Sequence, residues 1–396
     1  MTSDWVRHAI WWQVYPLGFV GAPIREPASQ PPVRTLRSLT GWLDYLVELG
    51  CNGLLLGPVF ASSTHGYDTL DHYRIDPRLG CEEDWDALVE ACRSRGVRIC
   101  LDGVFNHVGR DHTWAQAHPE RLSSGVFEGH DSLVELDHAR PEVADYVAQV
   151  MCHWLARGAD AWRLDAAYAT PAEFWQRVLP RVRDAHPQAW VFGEVIHGDY
   201  PAFVASSGVD SVTEYELWKA TWSSLREANF YELDWTLKRH NSFLDSFLPQ
   251  TFIGNHDVTR IATQVGPDKA VLALTVLCTT GGVPSIYYGD EQAFTALKEE
   301  RRGGDDAIRP AFPDAPGQLS ALGAWMYRAH QDLIGLRRRH PWLVSARTET
   351  LELANERIVY RSTGADELTV ELSLDPHPSA LVRHRDETLF RYAPGG

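Results

Sequence analysis

Short apolar runs alternate along the chain with segments whose apolar residues recur at helical spacing. Trp85, Leu88, Val89 and Cys92 fall on one helical face that ends at Gly96, and residues 97–101 then read as a buried strand. At the end of that strand the polarity reverses, and Asp102, Asn106 and His107 arrive together. Residues 10–17, 53–58, 161–165, 190–195, 252–257 and 284–291 are runs of the same kind, and 211–215 is a weaker one. Leu39, Trp42, Leu43 and Leu46 predict a helix closed by Gly50. Val143, Val147, Val150, Met151 and Trp154 predict another, closed by Gly158. Thr170-Pro171-Ala172-Glu173 reads as a capping box with proline at the first helical position, opening a helix to about residue 184. Residues 270–279 and 318–339 also read as helical.

These eight strand-then-helix repeats, with strands apolar enough to be buried on both faces, predict an α/β fold. The expected architecture is a (β/α)8 TIM barrel over residues 1–341, with a short, mixed polar insertion at about 108–140, after the third strand. From residue 342 the pattern changes. Residues 350–353, 358–360 and 368–374 alternate or run apolar between turn signals such as Gly364-Ala365-Asp366, which predicts a small antiparallel β domain over 342–396.

Composition narrows the class. The 396 residues are 44% hydrophobic, enough for a large core, and the net charge of -16 argues against nucleic acid or an anionic membrane surface as partner. No apolar stretch approaches the ~18 residues of a membrane span, and the N-terminus lacks the pattern of a secretory signal. Cys51, Cys81, Cys92, Cys100, Cys152 and Cys278 form no CxxC pair and read as reduced thiols, which points to the cytoplasm.

Four predicted strand ends carry acids or histidines: Asp102 with His107, Arg163 with Asp165, Glu194, and His256 with Asp257. A parallel barrel aims the C-terminal ends of its strands at one mouth. Like charges within about 6 Å raise one another's pKa, so a purely structural protein gains nothing by gathering carboxylates around one arginine. Glycoside cleavage needs such a group: a carboxylate nucleophile, a protonated acid, and charge to stabilise an oxocarbenium-like state.

At these residues the chain resembles the α-amylase family of retaining glycoside hydrolases. Asp102-Gly103-Val104-Phe105-Asn106-His107, Gly158-Ala159-Asp160-Ala161-Trp162-Arg163-Leu164-Asp165-Ala166, Phe192-Gly193-Glu194-Val195 and Phe252-Ile253-Gly254-Asn255-His256-Asp257 are similar to the family's four short signatures, in order. His65-Gly66-Tyr67-Asp68 and Tyr287-Tyr288-Gly289-Asp290-Glu291 match further features, and the likeness covers about residues 8–340. The resemblance implies that Asp165 is the nucleophile, held ionised by Arg163. It implies that Glu194 is the general acid and then the base, and that Asp257 binds the 2- and 3-hydroxyls of the sugar. Asp102, His107 and His256 join the substrate-binding set, the two histidines bonding hydroxyls of the same sugar. Tyr67 is expected to stack on the ring of the first glycone subsite. Asp305 and Arg309, four residues apart, resemble a further glycone-binding pair.

The third signature continues as Val195-Ile196-His197-Gly198-Asp199, similar to neopullulanases and cyclomaltodextrinases except that Ile196 replaces a tryptophan. Those enzymes carry an N-terminal dimer-building domain, whereas this chain opens directly on the barrel, so the oligomeric state is left open. Tyr168-Ala169 stand where extracellular α-amylases often carry Lys-His, which argues against a long-chain starch site and against a calcium site. Asn106 matches one calcium-ligand position, but the short insertion offers no clear partners, so no cofactor and no required metal are expected. The expected substrate is a small oligosaccharide or cyclic glucan, with Trp114, Trp162 and Tyr168 as candidate sugar platforms. Two other readings stay open: a transglycosylase or sugar isomerase using the same residues, and a non-catalytic amylase-like carbohydrate-binding protein.

Overall fold

Eight short parallel strands form the central sheet: β1 Trp11–Val14, β2 Gly53–Leu56, β3 Arg98–Gly103, β4 Ala161–Leu164, β5 Trp190–Gly193, β6 Ser211–Val212, β7 Gln250–Phe252 and β8 Val283–Tyr287. The computed structural model describes residues 3–26 and 32–394; part of the proline-rich stretch that follows the first strand in the sequence lies outside them. The strands pair in the order β6-β5-β4-β3-β2-β1-β8-β7. A parallel bridge between Thr213 and Gln250 joins the two edges, so the sheet closes into a TIM barrel.

Alternation along the strands separates two cores. Trp11, Leu55, Cys100, Ala161, Trp190, Phe192 and Val283 meet one another at the barrel axis, with Val6 and Ala9 from the turn at Asp4–His8 closing the lower end. Trp11 stacks on Trp190 with centroids 5.9 Å apart and planes 7° from parallel. Gly53 makes that stack fit, because a Cβ there would lie 2.4 Å from the Trp11 ring. The alternate residues, such as Trp12, Leu54, Leu101, Trp162, Leu164 and Val191, belong to the larger core under the helices. The helix Glu82–Ser94 buries Trp85, Leu88, Val89 and Cys92, the face expected from the pattern.

Local structure departs from expectation in several places. The helix Ala172–Ala185 takes Pro171 as its N-cap and has no side-chain cap bond. The hydroxyl of Thr170 instead donates to Asn106 Oδ1 at 3.5 Å, so the capping box is not formed. The first predicted helix divides into a 3-10 segment Leu36–Trp42 and an α-helix Leu43–Glu48, and the last α-helix starts only at Ala324, after two 3-10 turns. Two helices, Tyr215–Glu227 and Tyr231–Phe243, fill a stretch with no clear apolar rhythm. The first buries Thr221, Ser223 and Ser224, whose hydroxyls find partners inside the protein and leave no hydrophobic signature.

The insertion after β3 is a three-stranded antiparallel sheet of His107–Gly109, Leu133–Leu136 and Leu122–Val126. It stands at the mouth of the barrel with the hairpin Phe60–Ser62 and Thr69–Ile75. The C-terminal segment is a five-stranded antiparallel meander: β9 Arg347–Leu353, β10 Arg357–Thr363, β11 Glu367–Ser373, β12 Ser379–His384 and β13 Glu387–Tyr392. It docks on the helix Pro267–Thr279, where Ser362 Oγ donates to Thr279 O and the Tyr360 hydroxyl pairs with Thr279 Oγ1, each at 2.6 Å. The last two strands escaped the sequence pattern; β13 has a single buried residue, Phe390.

Candidate active site

Side chains two apart on a strand share a face, so β4 sends Ala161 and Arg163 into the barrel and Asp165 follows them. Asp102 on β3 lies in register with Arg163, as does Phe192 on β5, two residues before Glu194. Beyond the strands the ladder runs on. The Asp165 N–H donates to Gly103 O at 3.0 Å and the Glu194 N–H to Leu164 O at 2.8 Å, which sets the acids side by side. Trp162 points the other way and packs in the outer core against Phe60 and Phe105, so it is no sugar platform.

Arg163 is the hub. Its Nη1 lies 2.7 Å from both oxygens of Asp102 and 3.2 Å from Asp165 Oδ1. Its Nη2 lies 2.7 Å from Glu194 Oε1 and 3.8 Å from Asp257 Oδ2. Arg309 Nη2 reaches Asp257 Oδ1 at 2.9 Å and Asp305 Oδ2 at 3.4 Å, while His256 Nε2 lies 3.1 Å from Asp257 Oδ2. Arg309 is itself fixed: Nε donates to His256 O at 2.9 Å and the guanidinium lies 4.6 Å above the Tyr15 ring. The Tyr67 hydroxyl donates to Asp102 Oδ2 at 3.0 Å, and its ring lies parallel to His256.

A cavity of about 510 Å³ opens above this cluster, lined by Tyr67, His107, Asp165, Glu194, Asp257, Asp305 and Arg309 among others. Asp102, Arg163 and His256 do not line it. They are buried beneath its floor, deeper than the acids that line it, and reach the cavity only through their neighbours. His107 is in the wall, but its ring nitrogens are both engaged, Nε2 with Tyr67 O at 3.1 Å and Nδ1 with Asn106 Nδ2 at 3.3 Å. Trp114 stacks on Tyr146 at 4.1 Å, away from the cavity. Tyr168 does line it, and its hydroxyl donates to Glu128 Oε1 at 3.1 Å. Asn106 is turned to His107 and Thr170. Among the described residues no three His, Cys, Asp or Glu side chains converge to hold a metal ion.

A family model described as alpha amylase, catalytic domain, matches residues 13–125 and 126–318. The chain belongs to the α-amylase family. A cyclomaltodextrinase from Geobacillus thermopakistaniensis is 29% identical over 92% of the chain and 68% of its own length. Neopullulanase 2 from Thermoactinomyces vulgaris is 28% identical over 85% of the chain, and an intracellular maltogenic amylase from Bacillus subtilis 29% identical over 73%. The chain spans 64% and 56% of the lengths of those two. Among solved structures, a cyclic alpha-maltosyl-(1→6)-maltose hydrolase from Arthrobacter globiformis shares the fold with a TM-score of 0.81, 22% identity and 99% of both chains covered.

In this α-amylase family chain the charges are unevenly shared. Burial, the Glu194 carboxylate and the Asp102 carboxylate push Asp165 well above the usual carboxylate range, against the pull of Arg163. Burial lifts Asp102 to about 6, opposed by the same arginine. Burial also drives His256 down to about 3, so the imidazole is neutral near pH 7. Burial works against ionisation of Asp257 too, but its cationic neighbours hold it down at about 2; near neutrality Arg309 and Arg163 do this work. Arg163 pairs with Asp165 at 3.2 Å and makes shorter contacts, 2.7 Å each, to Asp102 and Glu194.

Three contributors went unnoticed in the sequence. Ala166 adopts a left-handed conformation, φ 46° and ψ 37°, which aims its N–H at Glu194 Oε2 at 3.1 Å. For a residue with a Cβ that geometry costs roughly 1–2 kcal/mol, and it stands directly after Asp165. Tyr215 donates its hydroxyl to Glu194 Oε1 at 3.0 Å. Trp218 lines the cavity one turn further along the same helix. Tyr215 ends the weak sixth strand run, so the rule that chemistry collects at strand ends was the available signal.

Proposed function

We propose that the chain is a retaining α-glycoside hydrolase that cleaves α-glucosidic bonds of maltooligosaccharides, cyclic glucans or related small α-glucans. The observation that carries this reading is the gathering of Asp165, Glu194 and Asp257 around one guanidinium on the floor of an open cavity. Asp165 attacks the anomeric carbon as Glu194 gives its proton to the departing glycosidic oxygen. Glu194 then takes a proton from water, which displaces Asp165 from the same carbon and regenerates the α configuration. Asp257, kept ionised by Arg309, accepts hydrogen bonds from sugar hydroxyls. Burial and the neighbouring Glu194 carboxylate push Asp165 towards its protonated form.

Relatives named cyclomaltodextrinase and neopullulanase support small α-glucans as substrates. Activity is expected to survive dialysis against EDTA, and a loss restored by calcium would overturn the metal-free reading. We place the chain in the cytoplasm, a reading supported by six free cysteines, four of them buried; fractionation of expressing cells tests it. The deciding experiment for function is a product time course on maltotriose, a cyclodextrin, a branched cyclic glucan and soluble starch, with the first-formed anomer read by NMR. Shorter sugars appearing as the α-anomer support the reading, and the β-anomer overturns retention. Longer or isomerised sugars at early times identify a transferase or isomerase. No turnover of any member points to a binding protein.

A further inference from the structure

A relay of three hydrogen bonds runs from the end of β7 to Glu194. The Asp257 N–H donates to Asn255 Oδ1 at 2.8 Å, Asn255 Nδ2 donates to the Tyr215 hydroxyl at 3.1 Å, and that hydroxyl donates to Glu194 Oε1 at 3.0 Å. Chemistry fixes its direction. A backbone N–H can only donate, so Asn255 must turn its oxygen to Asp257 and its amino group to Tyr215. An amide NH2 can only donate, so the Tyr215 hydroxyl accepts from Asn255 and has its single proton for Glu194. The Tyr215 ring is held edge-on by Phe252 at 5.0 Å and Trp218 at 5.7 Å. The preceding residue, Glu214, is anchored by the His240 ring at 2.8 Å and by Gln250 O at 2.9 Å.

We propose that Tyr215, locked by Asn255, is a positioning residue that fixes the rotation of the Glu194 carboxyl. Two donors, Arg163 and Tyr215, hold Oε1 as an acceptor. Oε2 meets only the Ala166 N–H among the described residues and carries the proton that passes to the glycosidic oxygen. The inference rests on the reading of Glu194 as the general acid.

The test compares kcat/KM, which reports the steps through glycosyl-enzyme formation, on maltotriose and on 4-nitrophenyl α-maltoside. A sugar alkoxide needs the proton from Glu194 to leave, and 4-nitrophenolate does not. Tyr215→Phe keeps the ring and its packing. It is expected to lower kcat/KM on maltotriose about tenfold or more, through kcat with KM little changed, and on the aryl substrate less than about threefold. Asn255→Ala is expected to show the same selectivity with a smaller loss. Equal losses on both substrates, or no loss, would overturn the proposal, because a packing defect does not sense the leaving group. Glu194→Gln serves as the reference. If that variant does not itself favour the aryl substrate, the acid assignment fails, whatever Tyr215→Phe does.

Discussion

At the lower end of the barrel Trp11 lies flat on Trp190 within a largely apolar core; at the upper end of the same strands Arg163 sits among Asp102, Asp165, Glu194 and Asp257. Along β4 and the residue that follows it the change takes five residues, from Ala161 through Arg163 to Asp165. One alternation therefore serves two purposes. At the floor it removes large aromatic surfaces from water, the dominant favourable term in folding. At the mouth it buries more negative charge than one arginine can match, which is costly unless each group is held by donors. The mouth is stabilised by what the floor provides, and the separation leaves the acids free to be arranged for chemistry.

Variants at the two ends should divide along that line. The largest effect is expected for Glu194→Gln, with kcat lowered about 10²–10⁴-fold and the unfolding midpoint unchanged or raised, since a buried carboxyl is neutralised. Near-wild-type turnover would remove Glu194 from the acid role. Trp190→Ala should do the converse, costing about 3–5 kcal/mol in denaturant unfolding while the folded fraction keeps its turnover within a few-fold. If it instead abolished activity at full stability, floor and mouth would not be separable.

Buried histidines away from the floor should each make stability depend on pH. Burial lowers His72, His107 and His330 to about 4, His256 to about 3 and His112 to about 2, and none of these lies in the axial core. Unfolded histidine titrates near 6.5. Between those values each of these histidines binds more protons in the unfolded chain than in the fold, so its share of stability is full above pH ~6.5 and falls as pH drops towards ~4, by up to ~1.4 kcal/mol per pH unit, while Asp102, Asp290 and Glu291, raised by burial, act in the opposite direction. Unfolding measured across that range checks the slope. His330→Leu, whose buried Nε2 has no partner among the described residues, should lower it by one histidine's share. An unchanged slope would mean that His330 is already protonated in the fold.

The smallest effect is expected at Ala166. Ala166→Gly relaxes a left-handed residue and should raise stability by up to about 1 kcal/mol, partly offset by glycine's greater freedom when unfolded. Glu194 should lose little, because the Ala166 N–H stays in place. Destabilisation by that variant would show that the Ala166 methyl contributes packing that outweighs its strain.

The strand periods and the acids that end them were legible in the chain, because alternation and strand-end polarity are local properties. That is why the barrel, the order of the four signature segments and the convergence of Asp165, Glu194 and Asp257 could be read without coordinates. The depth of each residue was not legible. Asp102 and His256 fall below the floor, and His107 has its nitrogens taken by Tyr67 and Asn106, because the packing of the loop at residues 65–68 over the strand ends decides which groups stay free. The relay through Asn255 and Tyr215, the left-handed turn at Ala166 and the inward face of the helix Tyr215–Glu227 depend on contacts between segments far apart in sequence. A carboxyl's neighbours, and therefore its protonation and orientation, are properties of that three-dimensional surrounding, which only the closed barrel brings together.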